Sequence, residues 1–329
     1  MGVLEELHRL QPIERVIGPT TPYSLAVSIP YALAFLLVGA EVAWLAQRPG
    51  GARRAILVSA ATATGMAGGA FLVGFAYTAA FRWLWDVVAT ARWEGAAGFW
   101  QTHSLLGAVA AFVAWDFTGW IYHVVGHRTR LGWAAHQPHH SGEGYDATLG
   151  LRQSWVPFHG LVHQPLLALA GFDVRAVIVC AAVSNCWQVL EHTSLPVRFT
   201  RWVSGVVMTP AAHRHHHGRG GGELNMGPFF TFWDRLAGTW VPPSSPAPEA
   251  YGPLVSASTN PVRVELAGWV QLLGGGGGTG GSRALVSGDD DRVLALVNKT
   301  TWAPSTARTM RDRSETLRPR TLPAISGSE

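Results

Sequence analysis

"AHRHHHGRG" (Ala212–Gly220) sets four histidines within five positions, and "AHQPHHSG" (Ala135–Gly142) sets three within five. Both contain H-x-x-H-H, with a small residue directly after the last histidine. A surface chelating tract has no reason to reproduce the spacing of a segment so far upstream. On a helix, residues three and four apart share a face, so each box is expected to aim its imidazoles at one locus. The boxes are His136, His139 and His140, and His213, His216 and His217. His215 is then the odd member, turned off the ligand face, beside the ligands or in solvent. His123 and His127 form an i, i+4 pair, and His192 is a possible ninth ligand among the chain's 14 histidines.

So many neutral imidazoles exceed the needs of one metal. Zinc takes three or four ligands, and a catalytic zinc helix would carry HExxH, which is missing here. With only Cys180 and Cys186, thiolate-selected metals and a disulfide framework are excluded. A pair of metals fits the count, and iron is the redox-active metal that imidazole suits. Asp116, seven residues before His123, is expected to accept the ring N–H of a ligand histidine. Asn185 and Gln188 fall at i−7 and i−4 from His192. They read equally as donors to the site or as polar glue between helices.

The surroundings are apolar. Charged residues make up 14% of the 329-residue chain and hydrophobic ones 48%, with 15 Trp. This balance points to a membrane protein. Tyr23–Ala46 and Ala55–Tyr77 each exceed the roughly 20 residues that cross a hydrocarbon core. Arg48, Arg53 and Arg54 lie between them and place that connector in the cytoplasm by the positive-inside rule. The Trp-rich stretch Arg82–Trp100 suits the headgroup level. His103–Tyr122 is a third span, and Pro157–Ala170 with Val174–Leu190 reads as a hairpin entering and leaving on one side. That parity puts every box on the cytoplasmic face. The acidic start, Glu5 and Glu6, predicts no cleavable signal peptide.

The expected organisation is a membrane-spanning region (1–100), a catalytic domain (101–241) and a mostly disordered extension (242–329) rich in Pro, Gly, Ser and charge. The net charge of +4 comes without a basic stripe interleaved with aromatics, so nucleic acid is not an expected partner.

Several motifs carry a family resemblance: Asp116, "HVVGH" (His123–His127), "HQPHH" (His136–His140), "TPAAHRHHHGR" (Thr209–Arg219) and "NMGPFFTFWDRLAGTW" (Asn225–Trp240). Over residues 100 to 240, with a possible further stretch in "YGPLVSASTNPVRVEL" (Tyr251–Leu266), the chain resembles the fatty acid hydroxylase superfamily of membrane di-iron enzymes, which includes sterol desaturases. "WAAHQPHHSGEGYDATLGLRQSW" (Trp133–Trp155) is most similar to the alkylglycerol monooxygenase-like branch. Asp146, where that branch tends to have Asn, and Met226, where the family often has Tyr, depart from the pattern. The resemblance implies two iron ions held by the eight box histidines, with His192 as a possible ninth ligand; Asp116 and Asn225 fall in its motifs, and Asn185 and Gln188 are further candidates from the His192 stripe. It also implies O2-dependent hydroxylation of a lipid C–H bond. The reducing equivalents would come from a reduced pterin or an external electron-transfer partner, since no dinucleotide, haem or ferredoxin motif is present.

The expected fold is therefore all-α: an integral-membrane helical bundle, in the cell (inner) membrane, with a cytoplasmic histidine-rich helical cap holding a dimetal centre. Two other readings stay open. A lipid desaturase would use the same centre. A non-catalytic membrane metal-binding protein is opposed by the position of the boxes after the spans rather than at mid-bilayer.

Overall fold

The computed structural model describes residues 22–156, 158–219, 222–252 and 258–273. The polar lead-in and the Gly-rich tail after Leu273 lie outside the described residues. Within them the chain is helical, with isolated bridges at Val207–Phe230 and Gly218–Tyr251 and no strand.

Four helices are long and apolar enough to cross a membrane. They are α1 (Pro22–Leu45), α2 (Gly51–Ala89), α4 (Ser104–Arg128) and α7 (Val174–Glu191), with α3 (Glu94–Thr102) preceding α4. Leu36, Phe71, Leu72, Phe75 and Leu105 are all at least two-thirds exposed, an apolar surface suited to lipid. The protein is thus an integral membrane protein. Between α4 and α7 lies α6 (Phe158–Leu169), whose 12 residues make about 18 Å, too short to span.

The second helix departs from expectation. It does not stop at Tyr77 but runs unbroken to Ala89, 39 residues or about 58 Å. No glycine or proline interrupts its last turns, and Arg82 pairs with Asp86 one turn on at 2.8 Å. Only Glu94–Thr102 remains of the expected headgroup-level segment as a separate element.

The spans meet at one end. Glu41, near the close of α1 and 1% exposed, accepts hydrogen bonds from Thr193 Oγ1, from Ser194 N at 2.8 Å and from Ser194 Oγ at 2.7 Å. A carboxylate inside an apolar helix is expensive unless it is satisfied in this way. From α2, Ser59 bonds Thr148 at 2.7 Å and accepts from Arg152 at 3.0 Å. The short elements of the cap gather at this end. They are α5 (Arg130–His136), the 3-10 turns Gln137–His140 and Ala147–Leu151, α8 (Arg201–Val206), α9 (Pro210–His217) and α10 (Phe232–Ala237).

The chain after 241 is not all extension. Helix α11 (Pro261–Leu273) packs on α2, α5 and the first 3-10 turn. Gly268 permits the approach, since a Cβ there would sit 2.5 Å from the Ala134 carbonyl oxygen. Glu265, 2% exposed, accepts from Ser154 Oγ at 2.9 Å, Trp155 N at 3.0 Å and Trp269 Nε1 at 3.1 Å. A composition dominated by Pro, Ser and Gly hid one amphipathic helix that needs a partner surface to fold. Glu265→Ala strips three donors of their acceptor. It should cost roughly 2–3 kcal/mol, read as a lowered thermal midpoint in detergent, whereas the exposed neighbour Leu266→Ala should change little.

Candidate metal centre

The last two turns of α4 carry His123 and His127, and α9 carries the third box as a regular helix. The second box is built differently. Pro138 ends the α-helix after His136, so His139 and His140 sit on a 3-10 turn. His192 follows directly on α7.

These nine rings form two groups, each with its ligand nitrogens within 4.8 Å of one another: His123, His127, His136, His140 and His216, and His139, His192, His213 and His217. All are buried except the partly exposed His140. The boxes therefore do not each serve one locus, as their spacing had suggested. The second box gives two rings to the five-histidine group and one to the other; the third box does the reverse. The reason is elementary: adjacent residues on a helix diverge by about 100°. His139 and His140 must part, as must His216 and His217, and each H-H pair straddles two loci. His140 and His217 from opposite groups stack at 4.4 Å. His215 belongs to neither group.

For three rings the nitrogen presented is fixed from behind. His123 Nδ1 donates to the Met226 carbonyl at 2.8 Å, His216 Nδ1 to the Leu224 carbonyl at 2.9 Å, and His192 Nδ1 to the Gln188 carbonyl. A neutral imidazole with its proton on Nδ1 keeps a bare lone pair on Nε2. Those lone pairs converge. In the four-histidine group, Nε2 of His192 lies 3.2 Å from that of His139, 3.0 Å from that of His217 and 3.2 Å from that of His213. In the other group, His140 Nε2 is 3.2 Å from His136 Nε2 and 3.1 Å from His216 Nε2. Tetrahedral ligands 2.0–2.1 Å from a metal stand about 3.3 Å apart. Without a cation, such crowding of acceptors is repulsive; with one, it is a coordination shell. Both donor sets fit a metal ion.

Asp116 does not reach a ligand ring. Seven residues along a helix is about 10 Å, and its Oδ2 instead accepts from Trp233 Nε1 at 2.8 Å and Phe230 N at 3.3 Å. It ties the closing segment to the middle of α4. Asn185, exposed, donates to Tyr31 Oη at 3.0 Å, joining α7 to α1. Gln188 Nε2 donates to Ser184 Oγ at 3.1 Å, so that only its backbone carbonyl serves a ligand ring.

Asn225 acts behind the rings. Its φ of 51° lies in the left-handed region that Asn tolerates better than most residues. Its side chain donates to the carbonyls of Ala212 (2.8 Å) and Val241 (2.9 Å) and accepts from Val241 N (2.7 Å). This clamp holds the chain turn that presents the Leu224 and Met226 carbonyls to His216 and His123. Because the Met226 contact is made by its backbone, the departure from the family's Tyr leaves it intact. Asp146, the other departure, accepts from Thr148 N at 3.0 Å and Thr148 Oγ1 at 2.6 Å, starting the second 3-10 turn.

Two acids were missed in the sequence. Asp234, fully buried, accepts from Met226 N (3.0 Å), Gly227 N (2.7 Å) and Thr239 Oγ1 (2.6 Å), bracing the same turn. Glu191 closes α7 beside His213. An acid at the end of an apolar span was the available signal for Glu191; for Asp234 there was only its Trp-Asp neighbourhood.

Fold and site together define a membrane protein with two adjoining all-histidine ligand sets. The family model for fatty acid hydroxylase matches residues 108–239, which hold the ligand histidines of both groups. The chain is similar to alkylglycerol monooxygenase from Xenopus tropicalis, 33% identical over 135 residues, which is 40% of this chain and 30% of that protein. It is also similar to alkylglycerol monooxygenase of Danio rerio, 30% identical over 171 residues, 50% of this chain and 36% of the relative. The human enzyme of the same name is 30% identical over 135 residues, again 40% of this chain and 30% of the relative. The match thus spans about a third of the length of these relatives. No solved structure matches.

Burial, and then the neighbouring rings, hold His136, His139, His140, His213, His216 and His217 well below the ordinary imidazole range, and burial holds His192 down at about 4. The unfolded chain then binds more protons than the folded one below about pH 6.5. The stability of the metal-free protein should be full above that pH and fall as pH drops from 6.5 towards 4. Thermal unfolding in detergent across pH 4–9 checks this. A profile flat between 6.5 and 4.5 would contradict it.

Proposed function

We propose that this chain is a di-iron monooxygenase that inserts one atom of O2 into a C–H bond of a membrane lipid, with glycerol ether lipids as the substrate class. The observation that carries the reading is the pair of adjoining imidazole sets with convergent lone pairs. The match to the fatty acid hydroxylase family model and the similarity to alkylglycerol monooxygenases support the choice of reaction and substrate.

His123, His127, His136, His140 and His216 would hold one iron, and His139, His192, His213 and His217 the other. Bound there, the two irons would supply O2 activation and two-electron redox chemistry. The rest falls to the protein. Backbone carbonyls at Gln188, Leu224 and Met226 fix the tautomers of three ligands, and buried walls keep bulk water from the reacting centre. The split boxes keep the two sets in register, because one short helix or turn positions ligands of both. Reducing equivalents come from a reduced pterin or another external donor.

The connector between α1 and α2 carries Arg48, Arg53 and Arg54, and the turn after the histidine-bearing end of α4 carries Arg128 and Arg130, which makes this end basic. By the positive-inside rule it faces the cytoplasm, and in a bacterial cell the membrane would be the inner one. A lipid enters from the bilayer along the spans with its polar head at this end.

The test uses detergent-purified full chain loaded with iron under reducing conditions. Elemental analysis should find two metals per chain. An alkylglycerol with O2 and reduced pterin should yield a product one oxygen heavier by mass spectrometry. His216→Ala should lower turnover by at least about 100-fold, and His215→Ala should keep turnover and metal content near wild type. One metal or none in carefully loaded wild-type protein would overturn the di-iron reading. An active His216→Ala beside an inactive, metal-poor His215→Ala would overturn the ligand assignment.

A further inference from the structure

Glu191 is 1% exposed, and both its carboxylate oxygens are buried without a hydrogen-bond partner. The indole of Trp187, beside Glu191, directs its Nε1–H mainly to the Met208 carbonyl at 2.9 Å. One Glu191 oxygen lies 4.0 Å from Nδ1 of His213, and that nitrogen is also buried without a hydrogen-bond partner.

The geometry decides which way His213 faces. Its Nε2 stands 3.2 Å from Nε2 of His192 and 3.2 Å from Nε2 of His217, among the ligand nitrogens. Nδ1 therefore points outward and carries the proton. Three other rings spend that proton on a backbone carbonyl; at His213 the Asn225 backbone stands nearby but closes no well-formed hydrogen bond, and Nδ1 is left facing Glu191. Among the described residues, His213 is the one ring of the two groups within 4.0 Å of a carboxylate. Nine neutral imidazoles contribute no negative charge to offset two cations, so a carboxylate behind one ligand makes the two sets unequal. A ligand histidine backed by a carboxylate is held in orientation and is the stronger base.

We propose that Glu191 is the positioning residue of the four-histidine set, orienting His213 through Nδ1–H and tightening metal binding there but not in the five-histidine set. This rests on the two-metal reading above. The experiment is a Zn2+ titration of metal-free, detergent-purified full chain against a competing chelator. Wild type should show two binding events, assigned by His217→Ala and His127→Ala. Glu191→Gln, which keeps the shape and removes the charge, should weaken the four-histidine event by roughly 10–100-fold and leave the other unchanged. Glu191→Asp, which keeps the charge, should recover most of the loss. In a His213→Ala background, Glu191→Gln should have little further effect, within about threefold.

The intact five-histidine event reports folding in each variant. Equal weakening of both events, wild-type binding by Glu191→Gln, or an undiminished effect in the His213→Ala background would each overturn the proposal. So would Glu191→Asp failing where Glu191→Gln succeeds, since shape would then matter and charge would not. If wild type shows fewer than two events, the two-metal reading fails, and this inference with it. Two wild-type events with an unaffected Glu191→Gln defeat this inference alone.

Discussion

The structure turns on gathering nine imidazoles away from water, with the bare ring nitrogens of seven of them facing one another at 3.0–3.2 Å. Acceptors at that separation repel, and a buried polar group without a partner is costly. Each ring must therefore be held against its neighbours by something else. The holders are backbone carbonyls, which only accept hydrogen bonds and so fix the proton on Nδ1 at His123, His192 and His216.

Much of the cap exists to place those carbonyls. Asn225, in left-handed backbone, hands Leu224 and Met226 to two ligands at once and anchors itself to Ala212 on the ligand helix α9. Asp234 fastens the same turn from below, and Asp116 secures Phe230 and Trp233 to α4. The polar residues of the closing segment thus act through the chain and not by touching the ligand nitrogens. Their local roles are interdependent, so a side chain there can be indispensable without belonging to either histidine set.

The membrane helices serve the same end. Glu41 on α1 fastens the residues directly after His192, and Ser59 on α2 holds Thr148 and Arg152 near the second box. Both contacts come from the ends of the spans nearest the histidines. This makes the bundle a mount for the cap as well as a membrane anchor.

By itself the sequence determined the helical membrane class and the identity of the nine histidines that come together. These follow from composition and from spacing, which are local. It also held the wrong length for α2 and concealed α11, whose thirteen residues fold only against α2, α5 and the first 3-10 turn. Tertiary structure alone decided how the histidines divide. Spacing of three and four says which residues share a face, but not that Pro138 would turn the second box into a 3-10 segment or that neighbouring histidines would feed separate sets. It alone replaced Asp116 with carbonyls behind the rings and brought Glu191 against His213. Those partners are far apart in sequence or belong to the backbone, and a backbone carbonyl has no letter by which to be read.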